Sequence, residues 1–169
     1  MIRIVTDSSA DLSHETAAQL GVTVVPVGNA SGESVYYDGV DTRQAERYHQ
    51  LARSGPALVS SPPLIEEFRR VYEGLLKSGA QIVSIHLSSE LGETALVAQE
   101  ATTGFLGRSK ITVVDSSLIS WGLGILVTTA AEAARRGVSV EEMLRLIRGM
   151  IPHIYMVFST TNVGYSERR

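Results

Sequence analysis

Ile2-Arg3-Ile4-Val5-Thr6-Asp7-Ser8-Ser9 opens the chain with a β-branched apolar run closed by a polar Asp-Ser-Ser turn. The next segment, Ser13 to Leu20, has helical period, so the opening reads as strand, tight turn, helix. The same order repeats downstream. Val22 to Val27, Gln81 to Leu87, Ile111 to Val114 and Ile154 to Phe158 read as further strands. Helical period covers about Thr42 to Arg53, Ile65 to Lys77, Leu91 to Thr103, Leu123 to Arg136 and Val140 to Met150. Such alternation predicts an α/β fold with a mostly parallel sheet flanked by helices. Gly21, Gly79 and Gly137 stand where a left-handed closing residue is wanted, and Thr42 and Ser139 can cap helix starts. Glu33 to Tyr37, between a flexible loop at Gly28-Asn29-Ala30-Ser31-Gly32 and a turn signal at Asp38-Gly39, reads as a short edge strand or, alternatively, as a structureless excursion.

At 169 residues the chain has the size of one ordinary domain, and neither repeat nor low-complexity linker divides it. The absence of cysteine excludes thiol nucleophiles, thiolate metal sites and disulfides, and suits the cytosol. Net charge is −3 with Lys and Arg scattered, so the basic stripe needed to grip a phosphate backbone is missing and nucleic acid is not an expected partner. The N-terminus has no targeting pattern and the apolar runs are too short to span a bilayer, which predicts a cytoplasmic protein without integral membrane insertion.

Four apolar or strand-like segments end in adjacent serines: Thr6-Asp7-Ser8-Ser9, Leu58-Val59-Ser60-Ser61, His86-Leu87-Ser88-Ser89 and Val114-Asp115-Ser116-Ser117. The carboxyl ends of parallel strands share one edge, so these turns are expected to meet in one crevice. Helix N-termini beside them add free N–H groups and a positive dipole end, a natural cradle for carboxylate or phosphate. Any single pair is explained more readily by helix capping, worth about 1 kcal/mol, than by ligand binding. Four pairs on one edge favour a site for an anionic head group, and the residues alone leave open which anion.

Three stretches resemble the DegV family in order and spacing: Ile4-Val5-Thr6-Asp7-Ser8-Ser9-Ala10-Asp11-Leu12, His86-Leu87-Ser88-Ser89-Glu90-Leu91-Gly92-Glu93-Thr94, and Val113-Val114-Asp115-Ser116 with Ser120-Trp121-Gly122-Leu123-Gly124. Ser60-Ser61-Pro62-Pro63-Leu64-Ile65-Glu66-Glu67-Phe68 is similar to a diverged TSQPSPxxF motif of that family, with Ser60 at the Thr and Ser61 at the Ser. Asp38-Gly39-Val40-Asp41 also fits its pattern. The resemblance covers essentially the whole chain. It implies the N-terminal α/β domain of a two-domain protein, with the family's C-terminal domain absent and the chain stopping at Ser166-Glu167-Arg168-Arg169 near the start of that second domain. It further implies a non-catalytic carrier that needs no cofactor. Its ligand would be a long-chain fatty acid bound between the domains and presented to a fatty acid kinase subunit. The ligand-binding residues so implied are Ser60, Ser61, Ser88, Ser89, Thr94, Ser116 and Ser120, with Ser61, Ser88 and Ser89 framing the carboxylate. Without the second domain, the chain is expected to bind fatty acid poorly and to expose an apolar surface.

The family's central motif reads SSxLSGT, and Gly92 and Glu93 replace its last serine and glycine. One presumed carboxylate donor is therefore lost and a like charge is added. The Gly92 N–H and a hydroxyl of Ser88, Ser89 or Thr94 are expected to compensate, with Glu93 turned to solvent.

Two other classes fit the same residues: a phosphoryl- or acyl-transfer enzyme acting on a small anionic metabolite, and a protein-interaction module. His86, Ser88 and Asp7 or Asp115 admit a Ser-His-Asp hydrolase, but no G-x-S-x-G elbow accompanies them. Gly122-Leu123-Gly124 lacks the third glycine of a dinucleotide fingerprint because Val127 stands there, so close backbone packing is expected. His14, His49 and His153 lack zinc-site spacing.

Overall fold

A computed structural model describes residues 1–31, 34–37, 59–105, 107 and 110–159. β1 (Ile2–Asp7) passes through a 3-10 turn at Ser8–Ala10 into α1 (His14–Leu20). Ser13 Oγ accepts the Thr16 N–H at 3.0 Å to start that helix, and Gly21 closes it with φ of 69°. β2 (Val22–Val25) stops at Pro26, which has no N–H to offer a ladder. Three short strands follow, β3 (Gly28–Ser31), β4 (Ser34–Tyr37) and β5 (Val59–Ser61). The remainder alternates α2 (Ile65–Leu76), β6 (Gln81–His86), α3 (Thr94–Ala101) and β7 (Ile111–Asp115), then ends in α4 (Ser120–Arg135) and α5 (Val140–Met150).

The four long strands form one parallel sheet in the order β2-β1-β6-β7, with Ile4 opposite Val22 on one side and Val83 on the other. Because side chains alternate across a strand, β1 feeds two cores. Ile4 joins Val83, Ile85, Leu123, Leu126, Val127, Met143 and Ile147 on the face covered by α4 and α5. Val5 joins Ile82, Phe68, Tyr72 and Ala98 on the face covered by α2 and α3. The result is the expected parallel sheet with helices on both sides. A separate three-stranded antiparallel sheet, β4-β3-β5, sits in the long connection between β2 and α2.

Several expectations are corrected. Ile154 to Phe158 is not a strand: a 3-10 turn at Ile151–His153 leads into a stretch without regular structure. Its apolar alternation is used on one side, where Ile154 and Met156 pack on the core beside Gly122, while Tyr155, Val157 and Phe158 are exposed. No ladder partner stands beside it among the described residues, and a strand needs one. The expected flexible loop at Gly28 to Gly32 is largely β3, and the strand expected from Glu33 begins at Ser34 as β4. α3 begins at Thr94 rather than Leu91, because Leu91 and Gly92 turn back to the Ser88 carbonyl. α4 begins at Ser120, three residues before the expected start. The expected helix at Thr42 to Arg53 and the turn at Asp38-Gly39 lie outside the described residues.

Candidate functional site

The chain leaves β1 toward β2 and leaves β6 toward β7, so its path diverges between the neighbours β1 and β6. In open α/β sheets, ligands bind outside the carboxyl ends of the strands at such a divergence. Asp7 and His86 are the last residues of those two strands, and their side chains meet in the sheet's interior. His86 Nδ1 lies 2.9 Å from Asp7 Oδ2, His86 Nε2 lies 2.6 Å from Ser84 Oγ, and the Tyr72 hydroxyl donates to Ser84 Oγ at 2.9 Å. All four side chains are buried. With a neutral ring, every hydrogen in the chain finds an acceptor: Tyr72 to Ser84, Ser84 to Nε2, Nδ1–H to Asp7. Phe68 holds the imidazole edge-on at 5.1 Å.

Asp7 also accepts two backbone donors, the Leu87 N–H on Oδ2 at 3.1 Å and the Ser9 N–H on Oδ1 at 3.0 Å. Burial alone would raise its pKa; the hydrogen bond from His86, aided by the Leu87 and Ser9 donors, outweighs it and holds Asp7 below its ordinary value of 3.8. Burial pushes the Tyr72 hydroxyl far above its ordinary range. The Ser-His-Asp contact is thus present but sealed: its serine is Ser84, fully buried and bonded to Tyr72, and not Ser88.

Three of the four serine pairs lie at the carboxyl edge of the parallel sheet, and their members divide by role. Ser8 Oγ accepts the Val27 N–H at 3.0 Å, bracing the β1 turn against the lead-in to β3. Ser88 is buried; its N–H donates to the Leu118 carbonyl at 3.0 Å and its Oγ accepts the Glu90 N–H at 3.3 Å. Ser116 is buried with its hydroxyl bonded to both the carbonyl and the N–H of Leu118 at 3.1 Å. Their neighbours Ser89 and Ser117 are exposed and Ser9 is half-buried. The fourth pair is elsewhere: Ser60 and Ser61 lie in β5, opposite Asn29 and Gly28 in the antiparallel sheet. Ser60 is exposed and Ser61 half-buried. Thr94 is buried at the start of α3, and Ser120, with φ of 56°, donates to the Asp11 carboxylate.

Gly92 does not offer a spare donor, because its N–H is committed to the Ser88 carbonyl at 3.1 Å. A Cβ there would stand 2.9 Å from Leu87 Cδ2. Glu93 is exposed, as expected. Asp115 gathers the Ser117 N–H at 2.9 Å and the Ser89 N–H at 3.3 Å, so donors that could meet a ligand anion already serve an internal carboxylate. The turns 7–12, 87–94 and 115–121 contain Asp7, Asp11, Glu90, Glu93 and Asp115 but no Lys or Arg.

Nearby, Trp121 and Ile125 on α4 face Ala10, Asp11 and Leu12 across an open, largely apolar groove of about 280 Å³. Trp121 is 78% exposed, which makes the α4 start an apolar surface. Gly124 explains how α4 comes so close: a Cβ there would stand 2.6 Å from the Ala10 carbonyl oxygen. Among the described residues no helix is long and apolar enough to cross a membrane, and no group of three or more His, Asp or Glu could hold a metal. Sequence reading overlooked Ser84, Tyr72 and Asp11 as polar partners. Ser84 carries a signal, being a lone hydroxyl inside the apolar run Ile82-Val83-Ser84-Ile85.

The protein-family model described as "Uncharacterised protein, DegV family" matches residues 1–168. A DegV domain-containing protein of Deinococcus radiodurans is 35% identical over 165 residues, covering 97% of this chain and 58% of that protein. A DegV family protein of Thermus thermophilus, described as fatty acid binding, superposes with a TM-score of 0.82 at 31% identity, over 89% of this chain and 53% of that one. DegV of Bacillus subtilis, described as a fatty acid binding protein, gives 0.83 at 26% identity over 89% and 54%. A stearic acid-binding protein of Eubacterium ventriosum gives 0.81 at 25% identity over 88% and 52%. The chain spans little more than half the length of these relatives.

Proposed function

The chain belongs to the DegV family, and from that premise we propose that it is the head-group half of a fatty-acid carrier, a binding protein rather than an enzyme. The observation that carries this reading is the convergence of three serine turns at the divergence of β1 and β6, in a fold matching fatty acid binding proteins at a TM-score of 0.82. Ser89 is the hydroxyl of this edge best placed for a carboxylate, with Ser61 supplied by the second sheet and Ser60, Thr94 and Ser120 in support. Ser88 and Ser116 serve by holding their turns. Since the edge turns contain five carboxylates and no cation, the counter-charge for a fatty acid comes from outside these turns, the part of the relatives' length that this chain does not span included. The same part covers the exposed apolar side chains at Trp121, Ile125, Tyr155, Val157 and Phe158.

Each buried methylene contributes about 0.8 kcal/mol, so a long acyl tail outweighs the head group in affinity while the serines set its orientation. A cytoplasmic carrier of this kind presents its carboxyl end to a fatty acid kinase subunit. Native mass spectrometry of the delipidated chain and of the longest product its gene encodes, here called the full-length protein, each with added stearic acid, tests the reading. Stearic acid retained by the full-length protein, and weakened there by Ser61→Ala or Ser89→Ala, is the expected result. Failure of the full-length protein to retain any fatty acid would turn the assignment toward a small anionic metabolite.

A further inference from the structure

We infer that Asp7 is a positioning residue for the head-group site, an inference that rests on the fatty-acid reading above. Its carboxylate fixes where the Ser88-Ser89 turn sits relative to the Ser8-Ser9 turn. The two turns leave neighbouring strands and have no covalent reason to keep a common geometry. Asp7 supplies one, because Oδ1 accepts the N–H of Ser9 and Oδ2 accepts the N–H of Leu87, the residue immediately before Ser88. Both bonds go to backbone donors of the turns rather than to the core.

The carboxylate is itself fixed. His86 Nδ1 holds Oδ2 at 2.9 Å, and the ring is pinned by Ser84 Oγ at 2.6 Å and by Phe68 edge-on at 5.1 Å. A carboxamide at position 7 has one oxygen and one NH2 group, so it would present hydrogens either to the Ser9 N–H or to the His86 and Leu87 donors. Asn therefore keeps the size of Asp and breaks one of the two ties. The outer end of the Ser88-Ser89 turn is held separately, by Leu118 and Asp115, so loss of the Asp7 tie displaces that turn without dismantling it.

The test measures stearic acid and methyl stearate binding by full-length wild type, Asp7→Asn, His86→Asn and Tyr72→Phe, with circular dichroism as a check on folding. Methyl stearate has the same tail and no ionised head group. Asp7→Asn should weaken stearic acid about tenfold, the equivalent of one ordinary hydrogen bond, and leave the ester within about twofold. His86→Asn keeps an N–H near Asp7 but loses the ring clamp, so a smaller loss confined to the acid is expected; it also serves if Asp7→Asn does not fold. Tyr72→Phe removes the far hydroxyl of the same buried chain, and should lower stability without moving the acid-to-ester ratio. Equal weakening of acid and ester, or no change in either, in a folded variant overturns the positioning role alone. A wild type that binds no stearic acid overturns the ligand reading and this role together.

Discussion

His86 Nδ1 stands 2.9 Å from Asp7 Oδ2 with both side chains fully buried, one polar contact joining the ends of two parallel strands. Asp7 also holds the Leu87 and Ser9 N–H groups, so a change at position 7 leaves buried donors facing a mismatched partner, which costs far more than an exposed ion pair contributes.

Asp7→Asn is therefore expected to lose on the order of 3 kcal/mol at neutral pH, read by urea denaturation. The pH dependence follows from its depressed pKa. Between the folded and unfolded values the unfolded chain binds the extra proton, so the stabilisation is complete above about pH 5 and disappears as pH falls through the folded value, below the ordinary 3.8. Wild type should show that acid loss and Asp7→Asn should not. Parallel acid limbs in the two proteins would contradict this assignment.

Thr6 is fully buried and its Oγ1 has no hydrogen-bond partner among the described residues. An unmade buried hydrogen bond costs about 1 to 3 kcal/mol, and valine has nearly the shape of threonine without the hydroxyl. Thr6→Val should raise stability by about 1 kcal/mol, visible as a higher urea midpoint at unchanged slope. A lower midpoint would mean that the hydroxyl is satisfied in solution.

Two glycine-to-alanine changes should move stability in opposite directions. At Gly124 the new methyl would stand 2.6 Å from the Ala10 carbonyl oxygen, a backbone atom with little room to yield. Overpacking there should cost about 1 to 3 kcal/mol. At Gly74, inside α2, a Cβ meets nothing within 4 Å, and the gain in helix propensity should be about 1 kcal/mol. Thermal melts of the two variants decide it, and a stabilising Gly124→Ala would refute the close packing of α4 on the β1 turn.

Gly92→Ser restores the serine of the related motif. Its Cβ meets Leu87 Cδ2 at 2.9 Å, the free end of a flexible side chain, so the stability change should stay within about 1 kcal/mol. On the proposed function, the full-length variant should bind stearic acid more tightly by up to about tenfold, since it regains one hydroxyl donor. Unchanged affinity, measured by isothermal titration, would place position 92 outside the head-group site.

Much of the fold is legible because it is local. Ile2 to Thr6, Gln81 to Leu87 and Ile111 to Val114 carry enough β-branched residues to form strands in any open α/β arrangement, and Ser13, Gly21 and Ser139 mark helix ends through bonds made within a few residues. The close approach expected of Gly122 and Gly124 is also met, at Met156 and Ala10. Where the reading failed, the deciding partner was distant. Ile154 to Phe158 has the alternation of a strand, but among the described residues no neighbouring strand completes its ladder. Ser60-Ser61 has the local look of the other serine pairs, yet pairing with Asn29 and Gly28 draws it into a different sheet.

The sequence by itself determined the alternation of strand and helix, the family, and the serine turns as the place to look for a ligand, because periodicity, capping and motif spacing are properties of neighbouring residues. Only the tertiary structure decided which member of each pair is structural and which faces solvent. Burial of Ser88 and Ser116 depends on where the β7–α4 loop crosses the β6–α3 loop, and Asp7 finds His86 across 79 positions through the register Ile4↔Val83. Hydrogen-bond partners and exposure are set by such non-local pairing, and no window of sequence contains both sides of it.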